Sequence, residues 1–307
     1  MIVLVTGAYG FLGRHIARRF AQAGHTVVAC GRGRWADAAE QQAWGISAWH
    51  EGNVSFELLD GIGVIPEVIV HCAGGGNVGV SVQEPFRDFS STVVGAAAVM
   101  EFIRLRAPGA HLIYPSSPAV QGVHDASPIH IKDPRQPASP YGFHKKMAED
   151  LCFSFALCGK LSFSIIRFFS VYGPGLRKQL LWDACNRLSA GAETAVFWGD
   201  GQETRDWIYV DDAAELVHTV AALPAAQRPS ILNCGSGHAE TICDVLARLR
   251  GHLQVGIEIS FNGQVKSGDP RYYLADITDS LKLGWQPRTS LDQGMSNYVE
   301  WFRSLSR

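Results

Sequence analysis

No excess of either charge, no paired cysteines and no long apolar run mark this sequence, and each absence removes a class of function. Positive and negative side chains nearly balance over 307 residues, to a net charge of −2, and both signs are scattered along the chain. Such a surface has no electrostatic footprint for nucleic acid or an anionic membrane, so neither partner is expected. The seven cysteines (Cys30, Cys72, Cys152, Cys158, Cys185, Cys234, Cys243) are odd in number and lack the spacing of a zinc site or redox pair. They read as buried thiols of a reducing compartment, and no metal is expected. No stretch is apolar for long enough to span a bilayer, and the run Ile2-Val3-Leu4-Val5 begins directly after Met1, leaving no room for a signal peptide. The expected location is the cytoplasm. A hydrophobic content of 47% excludes disorder and suffices for one large α/β domain or two coupled ones.

What is present is a rhythm of short β-branched runs alternating with helical patterns, the sign of parallel strands joined by crossover helices. Strands are expected at Ile2 to Thr6, Thr26 to Cys30, Ile46 to Trp49, Val68 to Cys72, Leu112 to Ser116 and Ser164 to Phe169. Their near-continuous apolar character indicates burial on both faces. Helices are expected at Leu12 to Ala23, Pro85 to Arg106 and Tyr141 to Cys158. After Tyr172-Gly173-Pro174-Gly175 the elements shorten: a helix near Gln179 to Ala190, a strand near Ala195 to Trp198, a helix after Asp211 and a terminal helix from Leu291 to Leu305. The fold class is therefore α/β, a doubly wound parallel Rossmann sheet with a smaller C-terminal lobe. The expected division is residues 1–172, with 205–235 returning to them, and a substrate-binding lobe within 173–307.

Thr6-Gly7-Ala8-Tyr9-Gly10-Phe11-Leu12-Gly13 closes the first strand and opens the first helix. Gly7, Gly10 and Gly13 thus fall where a dinucleotide needs a tight turn, close backbone approach to its pyrophosphate and a helix N-terminus. Tyr9, Phe11 and Leu12 lie within the same turn. An acid at the end of strand two would bond the ribose hydroxyls of NAD, and this chain has none. Instead Gly31-Arg32-Gly33-Arg34 follows Cys30, with Arg14 just past the third glycine. Guanidinium forks suit a 2′-phosphate, so NADP is the expected cofactor and NAD the alternative, although loop arginines can equally be solvated charges. Asn53, followed by Val54 after strand three, can pair with adenine or simply make a turn.

Tyr141 and Lys145 stand four apart in Ser139-Pro140-Tyr141-Gly142-Phe143-His144-Lys145, so on a helix they share one face and an ammonium can lie beside a phenol. Ser117 ends the apolar strand Ile113-Tyr114-Pro115-Ser116, which lets serine, tyrosine and lysine converge at the carboxyl edge of the sheet, where ligands bind. His144 is expected to pack or face solvent on another side of its helix.

With these motifs in order, and with Val70-His71-Cys72-Ala73-Gly74, Ser116 to Gly122, Arg167 to Gly175, Arg205 to Asp212 and Asn233-Cys234-Gly235-Ser236-Gly237, the chain resembles the extended short-chain dehydrogenase/reductases of the nucleotide-sugar epimerase/dehydratase family nearly end to end. The resemblance implies that Tyr141 exchanges a proton with a sugar hydroxyl, Lys145 holds the nicotinamide ribose and lowers the tyrosine pKa, and Ser117 bonds the same oxygen. It implies that Cys72, Ala73 and Gly74 line the cofactor, and that Ser81, Ser117, Ser170, Arg205 and Arg271 meet a nucleotide-diphosphate sugar, the two arginines clamping its diphosphate. It further implies a homodimer through the two long helices, and a place in polysaccharide biosynthesis.

Departures from the family pattern narrow the chemistry. Dehydratases carry an Asp-Glu pair directly after the catalytic hydroxyl residue; here Pro118 and Ala119 stand there, and neither transfers a proton. The fucose-synthase branch has a cysteine in place of Ala119. Gln121, Ser170 and Thr92 replace a usual tyrosine and two usual asparagines, which bears on substrate detail. The expected reaction is reduction of a 4-keto nucleotide sugar by NADPH, the alternative a 4-epimerase with tightly held NAD, and a further reading a nucleotide sensor that has lost its chemistry.

Overall fold

Alternation along the first strand sets the architecture. Val3 and Val5 point into one apolar cluster and Leu4 into another, each fully buried, so the sheet must be covered on both faces. The computed structural model describes residues 1–124, 127–159, 161–191, 193–264 and 270–305. Its first half runs β1 (Ile2–Thr6), α1 (Phe11–Gln22), β2 (Thr26–Gly31), α2 (Ala38–Ala43), β3 (Ala48–Glu51), α3 (Phe56–Gly61), β4 (Val68–His71), α4 (Val78–Gln83), α5 (Pro85–Phe89), α6 (Gly95–Arg106), β5 (His111–Ser116), α7 (Pro140–Gly159) and β6 (Ser162–Phe168). There follow β7 (Ser170–Tyr172), α8 (Gln179–Leu188), β8 (Thr194–Phe197), β9 (Thr204–Tyr209), α9 (Val210–Ala222), β10 (Ile231–Cys234), β11 (Ala239–Thr241), α10 (Ile242–Leu253), β12 (Glu258–Phe261), α11 (Thr278–Leu281) and α12 (Leu291–Ser304).

Seven parallel strands form the main sheet in the order β10-β6-β5-β4-β1-β2-β3. Ile16, Phe20, Leu216 and Val217 of α1 and α9 cover one face, and Met100, Ile103, Ala148 and Cys152 of α6 and α7 cover the other. The chain leaves β1 toward β2 on one side and returns to β4 on the other. That reversal opens a crevice at the carboxyl ends of β1 and β4, the place where doubly wound sheets bind ligands. Beyond the sheet, β7, β9 and β11 make a three-stranded sheet, β8 and β12 a pair, and a third apolar cluster joins α8, α10 and α12 through Leu181, Leu246, Leu249, Met295 and Tyr298.

Two expectations are revised, and two short helices are added to them. Strand three begins at Ala48 because the Ile46 N–H donates to the Gln41 carbonyl and so closes α2. The short helices α3 and α4, capped by Ser55 and Asn77, carry too few apolar positions to show a period. The helix from Pro85 to Arg106 is interrupted by a π turn over Ser90–Val94, which puts one wide turn between α5 and α6.

Candidate active site

The glycine turn is built as its spacing requires. Gly7 has φ of +70°, and a Cβ there would lie 2.6 Å from the Ala73 nitrogen, so β1 and β4 can approach only without a side chain. A Cβ on Gly13 would lie 2.5 Å from the Gly7 carbonyl oxygen, so α1 rests directly on the turn. The N-terminus of α1 has no side-chain cap and no acid in its first turn, which leaves its amides and positive dipole end for an anion. These features fit the pyrophosphate of a dinucleotide. Cys72, Ala73 and Gly74 complete the crevice beside Gly7, and burial pushes the Cys72 thiol up to about 12, so it is no nucleophile at neutral pH.

The adenosine end is less basic than the sequence suggests. Arg14 lies 5.2–5.5 Å from the rings of Tyr9, Trp35 and Trp44 and donates to the carbonyls of Tyr9 and Gly10, bracing the glycine turn instead of reaching outward. Arg34 pairs with Glu51 at 3.3 Å. Only Arg32 of the three is exposed without a partner among the described residues. Asn53 is exposed after β3, and Val54 packs on the core cluster beneath it.

Ser117 caps a short 3₁₀ turn, Pro118–Val120, by accepting from the Ala119 N–H at 3.2 Å. Its hydroxyl also hydrogen-bonds the Tyr141 phenol. Burial pushes that phenol up to about 12; the bond from Ser117 pulls it down and the carboxylate of Asp88 pushes it up. Lys145 is buried, donates to the Pro115 carbonyl at 2.9 Å and lies 4.9 Å from the Tyr114 ring centroid. Burial depresses its pKa to about 8. Strand β5 thus holds the ammonium that the spacing places on the same helix face as the phenol.

Supporting contacts fix these elements. Arg167 and Glu149, both fully buried, form a bidentate pair at 2.8–2.9 Å, and Ser116 donates to Glu149 at 2.6 Å, tying β5, β6 and α7 together behind the site. Ser81, expected to meet substrate, is buried, donates to the Val78 carbonyl at 2.7 Å and accepts from the Tyr141 N–H at 3.0 Å. It anchors the first turn of α7. His15 bridges the Asp211 carboxylate at 2.8 Å and the Pro174 carbonyl at 2.9 Å, linking α1 to α9 and to the turn after β7.

Ser170 begins β7 and pairs in register with Trp207, two residues from Arg205. The Arg205 guanidinium lies 5.7 Å from the Tyr273 ring centroid, and the Thr204 N–H donates to the Arg271 carbonyl, so the two arginines occupy adjacent backbone segments. Arg271 is exposed and paired with Asp200 at 2.9 Å. Sequence reasoning missed Asp88, and placed His144 on a different side of its helix from Tyr141. His144 is indeed packed, its Nδ1 2.6 Å from Asp88 Oδ2, with both residues buried. Asp88 and Thr92 are four apart on one helix, a spacing that was available as a signal. Thr92 Oγ1 accepts from the Gly75 N–H at 3.0 Å.

The model of the NAD-dependent epimerase/dehydratase family matches residues 3–235, the segment that carries the glycine turn, Ser117, Tyr141 and Lys145. The chain belongs to this family. As a member of the NAD-dependent epimerase/dehydratase family it is a nicotinamide-dependent enzyme. It is 31% identical to a UDP-glucose 4-epimerase of Mycolicibacterium smegmatis and 26% identical to a probable UDP-glucuronate 4-epimerase of Rhizobium meliloti, covering 100% and 97% of those proteins and 100% and 98% of itself. Among solved structures it resembles a UDP-glucose 4-epimerase of Thermotoga maritima, determined with UDP-glucose, with a TM-score of 0.88 and 26% identity over 100% of both chains. It also resembles MoeE5 in complex with UDP-glucuronic acid and NAD, with a TM-score of 0.87 and 28% identity over 99% of this chain and 100% of that one.

Proposed function

We propose that the protein is a nucleotide-sugar 4-epimerase working with NAD. One observation carries the reading: Ser117, Tyr141 and Lys145 meet at the carboxyl end of β5, while Pro118 and Ala119 leave that edge without the acids a dehydratase needs. This replaces the expectation of a 4-keto reductase. The engagement of Arg14 and Arg34 weakens the case for a 2′-phosphate, and full-length relatives named 4-epimerases support the alternative.

When bound, a nicotinamide dinucleotide supplies the hydride acceptor and donor for C4, and its oxidised ring brings positive charge that favours a neighbouring phenolate. Tyr141 takes the proton of the sugar 4-hydroxyl: the O–H bond breaks, a phenol O–H forms, and C4 loses its hydrogen with the electron pair. The same phenol returns the proton after the sugar has presented its other face. Ser117 bonds the reacting oxygen, and Lys145, held by the Pro115 carbonyl, stands ready for the ribose. Arg205 and Arg271 then meet the diphosphate of a UDP-sugar, Arg271 after leaving Asp200. We read residues 1–172 with 205–235 as the cofactor unit, 173–307 as mainly the substrate lobe, and the active form as a cytoplasmic homodimer.

Nucleotide released on denaturation, together with NMR of UDP-glucose and UDP-glucuronate after incubation with the protein, tests the reading. Retained NAD and appearance of the C4 epimer are expected. Stoichiometric consumption of NADPH on a 4-keto sugar with no epimer formed would return the protein to the reductases, with Arg32 as the grip on the 2′-phosphate.

A further inference from the structure

The segment between β7 and α8 runs from one side of the cofactor crevice to the other and ends in an ammonium. Gly175 has φ of +97°, and a Cβ there would lie 3.7 Å from the Phe11 ring, so the chain passes against the first turn of α1. Two contacts fasten it: His15 bonds the Pro174 carbonyl at 2.9 Å, and the buried Tyr298 hydroxyl donates to the Leu176 carbonyl at 2.7 Å. Leu176 itself is buried. Gln179, directly after Lys178, takes φ of +66°, a left-handed conformation that costs energy for a residue with a side chain. Held in this way, the strap brings Lys178 to the loop after β4, where its Nζ lies 3.1 Å from the place a Cβ on Gly76 would take. The backbone of Gly76 is not left-handed, so what the missing side chain leaves there is room for the ammonium.

We propose that Lys178 is a cofactor-binding residue, its ammonium meeting the pyrophosphate of the dinucleotide from the strap that joins the two sides of the crevice. The proposal rests on the reading above only in taking a nicotinamide dinucleotide as the ligand. Lys178 is exposed and has no hydrogen-bond or ion-pair partner among the described residues, yet protein crowds its ammonium enough to lower its pKa. Such a cation is stabilised by any oxyanion that settles beside it. The strap's contacts say which oxyanion. Phe11 opens the helix whose uncapped N-terminus suits a pyrophosphate, and Gly76 continues the loop in which Cys72, Ala73 and Gly74 face the glycine turn. The helix end supplies amides and a partial charge, and Arg14 is spent on ring faces and on carbonyls of the same turn. A full positive charge for the pyrophosphate therefore comes from Lys178, acting as the point charge that a lysine offers a phosphate.

The measurement is equilibrium dialysis of the full chain, freed of resident nucleotide, against labelled NAD, ADP-ribose, adenosine and UDP. Lys178→Met keeps the length of the stem and removes the charge. It should weaken NAD and ADP-ribose alike by about tenfold, the worth of one charge-assisted contact at a partly open site. Adenosine, which has no phosphate, and UDP, which belongs to the substrate side, should bind as they do to wild type. Lys178→Arg should restore most of the loss, since it returns the charge with a different shape. Unchanged ADP-ribose affinity in Lys178→Met, or an arginine variant as weak as the methionine one, would overturn the assignment. So would a loss confined to UDP, which would give the cation to the substrate's diphosphate, or a raised KM for UDP-glucuronate alone, which would give it to a sugar carboxylate. A wild type that shows the expected pattern yet epimerises no UDP-sugar would overturn the epimerase reading and leave Lys178 in place.

Discussion

At the scale of single residues, the group proposed for acid/base work is a phenol pushed up by burial and the lysine four residues on is an ammonium pushed down by it, Tyr141 to about 12 and Lys145 to about 8. The two should fail differently. Tyr141→Phe keeps the ring and removes only the ionisable oxygen, so fold and NAD affinity should survive while turnover falls by about 10²–10⁴, the usual worth of positioned proton transfer. Lys145→Ala should weaken NAD binding as well as the rate, which calorimetry and steady-state kinetics would separate. Near-normal turnover of Tyr141→Phe would remove this tyrosine from the chemistry. These two residues, Ser117 and the three glycines could be nominated from the sequence because their spacing is local and their types are chemically specific, and their roles belong to the proposed function. Asp88 was not, because its meaning depends on His144, fifty-six residues away in sequence.

At the scale of elements, five of the six strands of the first half were readable because burial makes them largely apolar, while β3, at the sheet edge with no buried residue, gave a weaker signal; each appears within two residues of its expected ends. Strand β10 could be placed only through a motif, since its four residues, Ile231–Cys234, alternate with nothing. Short capped helices such as α4 escape any periodic signal. The contact of α1 with the glycine turn leaves no room for a methyl group, so Gly13→Ala should destabilise the fold by about 1–3 kcal/mol, the range for overpacking, and loosen NAD binding; an unchanged melting temperature would contradict that packing. Helices α5, α6 and α7, with the π turn between the first two, expose Phe86, Val94, Leu105, Phe143, Met147 and Leu157, the last 89% accessible. Burial against a second copy is the expected use of such a face. Leu157→Glu combined with Met147→Glu should shift the protein to monomer in light scattering, and a wild type already monomeric at micromolar concentration would refute the dimer.

At the scale of the whole molecule, stability should depend on acid through two histidines held neutral in the interior. Burial depresses both His71 and His111 to about 3, His111 sitting between the hydroxyls of Ser162 and Ser164. The unfolded chain takes up these protons near pH 6.5 and the folded one only near 3, so their stabilising contribution is complete above 6.5 and is lost as pH falls toward 3. His111→Asn should remove one such dependence, on the order of 2 kcal/mol between pH 6.5 and 4.5 by this linkage, seen as a flatter fall in denaturant midpoints; a slope equal to wild type would show that His111 is already charged. The π turn over Ser90–Val94 has a consequence of the same scope. It sets the angular phase between two halves of one helix, so that Asp88 and Thr92 meet the Gly75 loop while Ala96, Val99, Met100 and Ile103 meet the core. The five residues of the wide turn sweep about the angle of four in an α-helix, so deleting one residue there would restore an ordinary helical ladder and leave Met100 facing the core. The wide turn absorbs one extra residue without disturbing either half, so a single-residue deletion in it should lower the melting temperature less than the same deletion within α6, where it would turn the rest of the helix by about 100°.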